Sequence, residues 1–237
     1  MKIMFISDTH GNNEMIEVDK DIDILVHTGD FTRTRMNARM DLVLLLDWFL
    51  GLEVEYKIFI AGNHDKFIFE NNEEAKRMIE FYNDKYGANI IYLEDSEVVI
   101  EGIKFYGSPW TPIFFNWYFM KNENELANYF NRIPEDTDIL LTHGPAENIL
   151  DRTHSNRYVG SSALRYKIDN LNNLKIHAFG HIHEDRGVIE KKGKLFINAS
   201  ANINDKLNYV VQISIDPAGE KKIEFEWKDM KRIEKRH

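Results

Sequence analysis

The sequence contains no cysteine. Disulfides, Cys-ligated zinc and thiol nucleophiles are therefore excluded, and the composition fits a reducing compartment, so a cytoplasmic location is expected. Long hydrophobic runs are also missing, and nothing approaches the roughly 20 apolar residues that span a bilayer. The apolar opening Met1–Ser7 stops at Asp8, too short for a signal peptide with its flanks, and reads as a buried first strand. Positive charge is in deficit: 30 Lys and Arg against 39 Asp and Glu leave a net charge of −9. Duplex nucleic acid is a poor partner for such a chain, because that binding sets Lys and Arg against phosphates. The locally basic stretch Lys228–Arg236 reads as a solvated tail. Pro/Gly/Ser-rich linkers and internal repeats are lacking too, so residues 1–237 are expected to form one domain. What is present is a globular composition, 43% hydrophobic and 29% charged, unlike disordered, collagen-like or membrane chains.

Short apolar runs alternate with helical patterns. Lys2–Ser7, Asp23–Thr28 and Tyr56–Ala61 read as strands, the second apolar enough to be buried on both faces. Asn37–Leu50 reads as a helix, with Leu42, Leu45, Leu46 and Phe49 forming one apolar stripe and Gly51 a stop. A second helix is expected over Glu73–Tyr86, ending at Gly87. Ile90–Leu93, Glu97–Ile100 and Lys104–Tyr106 have hairpin spacing. An aromatic loop, Trp110–Phe119, precedes a helix near Glu123–Asn131, a strand at Asp138–Thr142, a helix at Ser162–Leu171 and a strand at Lys175–Phe179. Gly187–Glu190, Leu195–Asn198, Tyr209–Ile215 and Lys222–Trp227 make the end β-rich. This order predicts an α/β (mixed α+β) fold, with two mixed β-sheets packed as a sandwich and flanked by helices.

Five of these strands lead at once into residues of metal-ligand type: Asp8-Thr9-His10, Gly29-Asp30, Gly62-Asn63-His64-Asp65, His143-Gly144 and Gly180-His181-Ile182-His183. Ligands bind beyond the carboxyl ends of strands in α/β sheets, so all five clusters would face one rim. Carboxylates and imidazoles suit divalent Mn, Fe, Zn, Co or Ni. The adjoining glycines let the backbone turn sharply or approach a ligand closely. If the 181–183 segment is extended, His181 and His183 point to opposite faces and can serve two ions.

Taken together, these motifs resemble the calcineurin-like metallophosphoesterase superfamily over residues 8 to 183. His27-Thr28-Gly29-Asp30-Phe31, Gly107-Ser108-Pro109-Trp110-Thr111-Pro112 and Ile197-Asn198-Ala199-Ser200 further resemble its metallophosphoesterase-domain-containing branch, which is related to class III cyclic nucleotide phosphodiesterases. The resemblance implies two divalent ions, manganese favoured. Asp8, His10 and His183 would hold one, Asn63, His143 and His181 the other, and Asp30 would bridge them. His64 would stabilise a phosphoryl oxygen or protonate the leaving group, with Asp65 orienting His64 or a ligand. Hydrolysis would use water activated between the ions.

Each residue also has a plainer reading. Asp8 and Asp30 can be caps or turn residues, and Asn63 a turn residue. His27 either hydrogen-bonds a ligand or packs; His154 and His177 read as structural or exposed. The aromatic loop is either a hydrophobic cluster or, through Trp110, a wall that stacks a nucleobase. Asn198 and Ser200 reach the substrate or merely end a strand. Arg33 and Arg35 grip a phosphate or lie in solvent. The expected substrate is a small phosphodiester, a nucleotide or cyclic nucleotide foremost, bound by a monomer or homodimer away from membranes. Phosphomonoesterase, nuclease and binding-scaffold readings stand behind it. A protein phosphatase of this superfamily would carry Gly-Asp-x-Val-Asp-Arg-Gly, where this chain has Gly29-Asp30-Phe31-Thr32-Arg33-Thr34-Arg35.

Overall fold

The first strand, β1 (Lys2–Ile6), shows how the fold is built: all its residues after Lys2 are fully buried, yet alternate side chains serve different cores. Ile3 and Phe5 face one apolar cluster, Met4 and Ile6 another. The computed structural model describes residues 1–33, 36–203, 206–207, 209–214 and 224–229. In chain order β1 is followed by β2 (Ile24–His27), α1 (Ala38–Leu50), β3 (Tyr56–Phe59), α2 (Lys66–Glu70), α3 (Asn72–Tyr86), β4 (Ile90–Tyr92), β5 (Ser96–Ile100) and β6 (Ile103–Ser108). Next come the short strands β7 (Thr111–Pro112) and β8 (Met120–Lys121), then α4 (Glu123–Phe130), β9 (Ile139–Thr142), α5 (Ser162–Asn170) and β10 (Ile176–Phe179). The remainder comprises β11 (Gly187–Lys191), β12 (Lys194–Asn198), β13 (Asn202–Ile203), β14 (Lys206–Leu207), β15 (Tyr209–Ser214) and β16 (Glu224–Asp229).

Two six-stranded mixed sheets result, in the orders β16-β15-β1-β2-β3-β4 and β11-β12-β10-β9-β6-β5. In the first, β1 to β4 run parallel, β15 is antiparallel to β1, and β16 is antiparallel to β15. In the second, β6, β9, β10 and β12 run parallel between antiparallel edges. The core between the sheets is one apolar cluster: Phe5 and Val26 from the first sheet meet Phe105, Leu141, Ala178 and Ile197 from the second. The outer faces join the helices, where Met4, Leu25, Leu140 and Phe196 cluster with Leu42, Leu45, Leu46 and Phe49 of α1 and with Leu126 and Leu164 of α4 and α5. This is the expected sandwich, and the α1 stripe is fully buried as its spacing predicts.

Local differences from expectation have local causes. The stretch 90–106 does not form one hairpin: β4 pairs parallel with β3, and only β5 and β6 make a hairpin, in the other sheet. The chain changes sheets between them. Gly87 ends α3 in the left-handed conformation (φ 63°), whereas Gly51 ends α1 with ordinary helical torsions. The short helix α2 follows the Asn63-His64-Asp65 turn unannounced by any long periodic pattern. Ile215, 222–223, most of the basic tail, Arg35 and His237 lie outside the described residues. Among the described residues, no helix is long and apolar enough to cross a membrane.

Candidate metal centre

The parallel strands β1, β2, β3, β9 and β10 end at one rim, and the two sheets are laced together there. Ser7 bridges Ser200, Ala201 N donates to Ser7 O at 2.9 Å, and His143 Nδ1 lies 2.9 Å from Thr28 O. Two groups of donor atoms meet at this rim. Asp8, His10 and His183 form one, and Asp30, His143 and His181 the other; within each, one atom per residue lies within 4.8 Å of the rest. Asn63 joins the second group, its Oδ1 lying 2.9 Å from His143 Nε2. The groups interlock, since His181 N donates to Asp8 Oδ2 at 2.9 Å while the His181 and His143 ring centroids are 5.0 Å apart. His64 stands beside both: its backbone N donates to Asp30 Oδ1 at 2.7 Å, its Nε2 lies 3.9 Å from Asp30 Oδ2, and its ring sits 4.9 Å from that of His10.

The backbone is bent to achieve this. Asp8, His10, Asp30 and His181 all have positive φ, 54°, 46°, 58° and 69°. Non-glycine residues visit that region at a cost of about 1–3 kcal/mol, and such strain collects at functional sites. His181 and His183 therefore do not alternate along an extended segment, as the sequence suggests. The left-handed turn at His181 and the single helical turn His183–Asp185 aim them into neighbouring groups instead. Close approach explains two glycines: a Cβ at Gly180 would collide with the Asp8 carboxylate and Ser7 Oγ, and one at Gly62 would lie 2.6 Å from Asp30 N.

The electrostatics test whether a cation fits. His143 Nδ1 is 2.9 Å from Thr28 O, and a carbonyl only accepts, so the neutral ring carries its hydrogen on Nδ1. Its Nε2 lone pair then faces Asp30 Oδ2 at 3.3 Å and Asn63 Oδ1 at 2.9 Å, both acceptors. Three electron-rich atoms converge, which calls for a positive charge among them. Without an ion the ring itself supplies one: burial opposes protonation, but Asp30, with Asp8 behind it, outweighs burial and raises His143 to about 9. Asp30 is held well below the usual carboxylate range because His143 and His64 outweigh its burial. Asp8 is lowered likewise by His183, whose Nε2 is 3.2 Å from Asp8 Oδ1. Burial pushes His181 down to about 4 and lowers His64. Ionised carboxylates and imidazole nitrogens that converge on one point have the chemistry of a divalent-metal site, where the ion takes the place of the ring proton.

Of the two roles expected of Asp65, its contacts fit the orienting of a ligand: among the described residues it makes no hydrogen bond to His64, and its carboxylate accepts the N–H groups of Asp30 (2.9 Å), Thr32 (3.0 Å) and Gly62 (2.7 Å) and so fixes the turn that aims Asp30. The roles expected of two other residues change. Asn198 does not point to a substrate. It is buried, donating to Ile182 O at 2.8 Å and Leu150 O at 3.3 Å while accepting from Ser200 N, which steadies the 180–183 loop. Trp110 is no substrate wall: it is buried, donates to Asp95 Oδ2 at 2.8 Å and stacks on Tyr129 with centroids 4.4 Å apart. The ring that meets the site is Trp117, 4.0 Å from His64 centroid to centroid. In addition, Tyr118 N donates to Asn63 O at 3.2 Å. The aromatic loop signalled this region, but which of its rings turned inward depended on the short β7–β8 pairing. His27 links Thr9 Oγ1 (2.8 Å) to Gly29 N (3.2 Å), bracing two of the motif turns. Ser200 and His177 are buried, and His154 is exposed. Arg33 is exposed and donates to Asn12 Oδ1 at 3.3 Å, just beyond His10.

A sequence model described as "Calcineurin-like phosphoesterase" matches residues 1–185. The chain belongs to this family. Within the calcineurin-like phosphoesterases it is 34% identical to the metallophosphoesterase domain-containing protein 1 of Homo sapiens; the match covers 84% of this chain and 65% of that protein. The chain thus spans a little under two thirds of that relative's length. Among solved structures the fold is shared by TT1561 of Thermus thermophilus, with a TM-score of 0.65, 12% identity and coverage of 96% and 98% of the two chains. A dimetal phosphatase from Danio rerio also shares it, with a TM-score of 0.53, 10% identity and coverage of 97% and 98%. This member of the calcineurin-like phosphoesterase family carries two groups of side chains that could each hold a metal ion.

Proposed function

We propose that the protein is a binuclear metal-dependent phosphodiesterase of small molecules, with nucleotides as its first substrate class. The observation that carries this reading is the meeting of two donor groups at one strand rim. Asp8, His10 and His183 would take one ion, Asn63, His143 and His181 the other, and Asp30 would serve both; manganese is the first choice among Mn, Fe, Zn, Co and Ni. When bound, such a pair supplies Lewis acidity toward a phosphoryl oxygen and lowers the pKa of water from about 15.7 toward neutrality.

The chain's own residues position and protonate. The His64 side chain is 31% exposed, so its ring can donate to a phosphoryl oxygen or hand a proton to the departing ester oxygen. Its backbone bond to Asp30 fixes that ring relative to the carboxylate. Trp117 covers one face of the ring and keeps water from it. Asp65 holds the Asp30 turn through three backbone N–H groups. The net charge of −9 favours a small substrate over duplex nucleic acid. The test is turnover of bis-p-nitrophenyl phosphate and p-nitrophenyl phosphate with each of the five metals. Hydrolysis favouring the diester and lost in His181→Ala is expected. No turnover of either ester with any of them would overturn the reading and favour a binding scaffold.

A further inference from the structure

The outer face of α1 is apolar where a surface helix is ordinarily polar. Leu42, Leu45, Leu46 and Phe49 fill the core on its inner side. On the solvent side Met36, just before the helix, Met40 and Leu50 are 92%, 54% and 36% exposed, and Val43 is half-buried. Positions 36, 40, 43, 47 and 50 follow one another at steps of four, three, four and three, the spacing of a coiled-coil seam. Beside Val43 a groove of about 320 Å³ runs between α1 and α3, with Met78 and Phe81 on its far wall. Asp47 is the one polar residue of the seam, and Arg39 borders it. Both are exposed and partly engaged: Arg39 Nε donates to Glu74 Oε1 at 2.9 Å, and Tyr82 OH donates to Asp47 Oδ1 at 2.5 Å. The terminal nitrogens of Arg39 and Oδ2 of Asp47 can still take a second partner. Each charge also opposes its own helix dipole, a cation in the first turn of α1 and a carboxylate in the last.

We propose that this face is the interface of a homodimer, in which a second copy lays its own α1 antiparallel on it about a two-fold axis at Val43. A two-fold contact needs a patch that complements itself, and α1 carries one. Arg39 and Asp47 stand four residues to either side of Val43, and Met36 and Leu50 seven. That axis therefore sets Asp47 of each copy beside Arg39 of the other, and Met36 of each beside Leu50 of the other. A parallel pair would set Asp47 against Asp47, so the polar seam residue selects the antiparallel arrangement. The same arrangement brings each charge to a helix end of opposite sign in the second copy. The helix is about 20 Å long, so the contact is at the small end of specific interfaces, and a Kd on the order of 10 µM is expected. None of this depends on the hydrolase reading.

Sedimentation equilibrium of the full chain from about 1 to 200 µM tests it across that Kd. The wild type should pass from monomer to dimer over the range. Arg39→Asp and Asp47→Arg should each weaken the dimer roughly tenfold or more, because like charges then meet twice across the axis. The double variant Arg39→Asp/Asp47→Arg should return to within about threefold of the wild type, its pairs being restored with signs exchanged. Val43→Glu, which sets two carboxylates together on the axis, should leave only monomer. Each charge reversal suits the dipole of its own helix, and urea unfolding of every variant separates a lost contact from a lost fold. A wild type that stays monomeric to about 200 µM would overturn the proposal and give the face to a different protein. Dimerisation indifferent to the reversals and to Val43→Glu, or a folded double variant that fails to recover, would overturn it as well.

Discussion

Acid should destabilise this protein partly through His177, which lies well away from solvent on β10. Thr142 Oγ1 is 2.7 Å from both Gly144 O and His177 Nε2. The carbonyl must receive the hydroxyl proton, so the imidazole donates from Nε2 and keeps a lone pair on Nδ1. Among the described residues Nδ1 has no partner, and the ring lies 4.7 Å from Phe179 and 6.0 Å from Phe196. Protonation there would bury a charge with an unmatched N–H, so burial pushes the pKa down from 6.5 to about 3. Between those values the unfolded chain takes up a proton that the folded chain refuses. The contribution is therefore complete above about pH 6.5 and falls by about 1.4 kcal/mol per unit below it. From pH 7.5 to 5.0 the loss due to His177 is about 2 kcal/mol. His177→Gln retains an N–H for Thr142 and does not titrate. In urea unfolding at pH 7.5, 6.5, 5.5 and 5.0, the variant should lose about 2 kcal/mol less than the wild type over the range, whatever its stability at pH 7.5. Other acid-sensitive groups, His27 and the rim included, are common to both proteins and cancel in the difference. Parallel stability curves would refute a neutral, proton-refusing His177.

Gly180→Ala drives a methyl group into Asp8 and Ser7, so manganese affinity measured by titration calorimetry should fall at least tenfold, at about the level of losing an outer partner; unchanged affinity would mean the loop approaches Asp8 less closely. Asp65→Asn puts an NH2 group where backbone N–H donors converge, which should weaken metal binding about 10- to 100-fold and cost about 1–3 kcal/mol in urea unfolding of the ion-free protein. Phe105→Ala empties the core between the sheets and should cost about 3–5 kcal/mol in the same assay, with metal affinity kept within a few-fold if the rim is held by its own hydrogen bonds.

How much was legible in the sequence varies by element. The β1, β2, β3, β9 and β10 runs were visible because buried strands are apolar along their whole length, and each ran straight into Asp, Asn or His. The α1 stripe was visible because its spacing is helical. The parallel pairing of β4 with β3 was hidden, since a three-residue strand carries the same local pattern in either sheet. The turn at His181 was hidden as well: positive φ in a non-glycine residue is imposed by neighbours, here the Asp8 carboxylate gripping its N–H. Asn198 and Asp65 stand within the motifs that carry the resemblance, but their partners are backbone groups that any sequence would supply.

Sequence alone determined the two periodicities, the strand-to-ligand order and hence the family of chemistry, because hydrophobic pattern and donor type are properties of the chain itself. Tertiary structure alone decided which aromatic faces His64 and how His181 and His183 part company. Those outcomes depend on contacts between distant segments, 175 residues apart for Asp8 and His183, and no local preference encodes a distance of that kind.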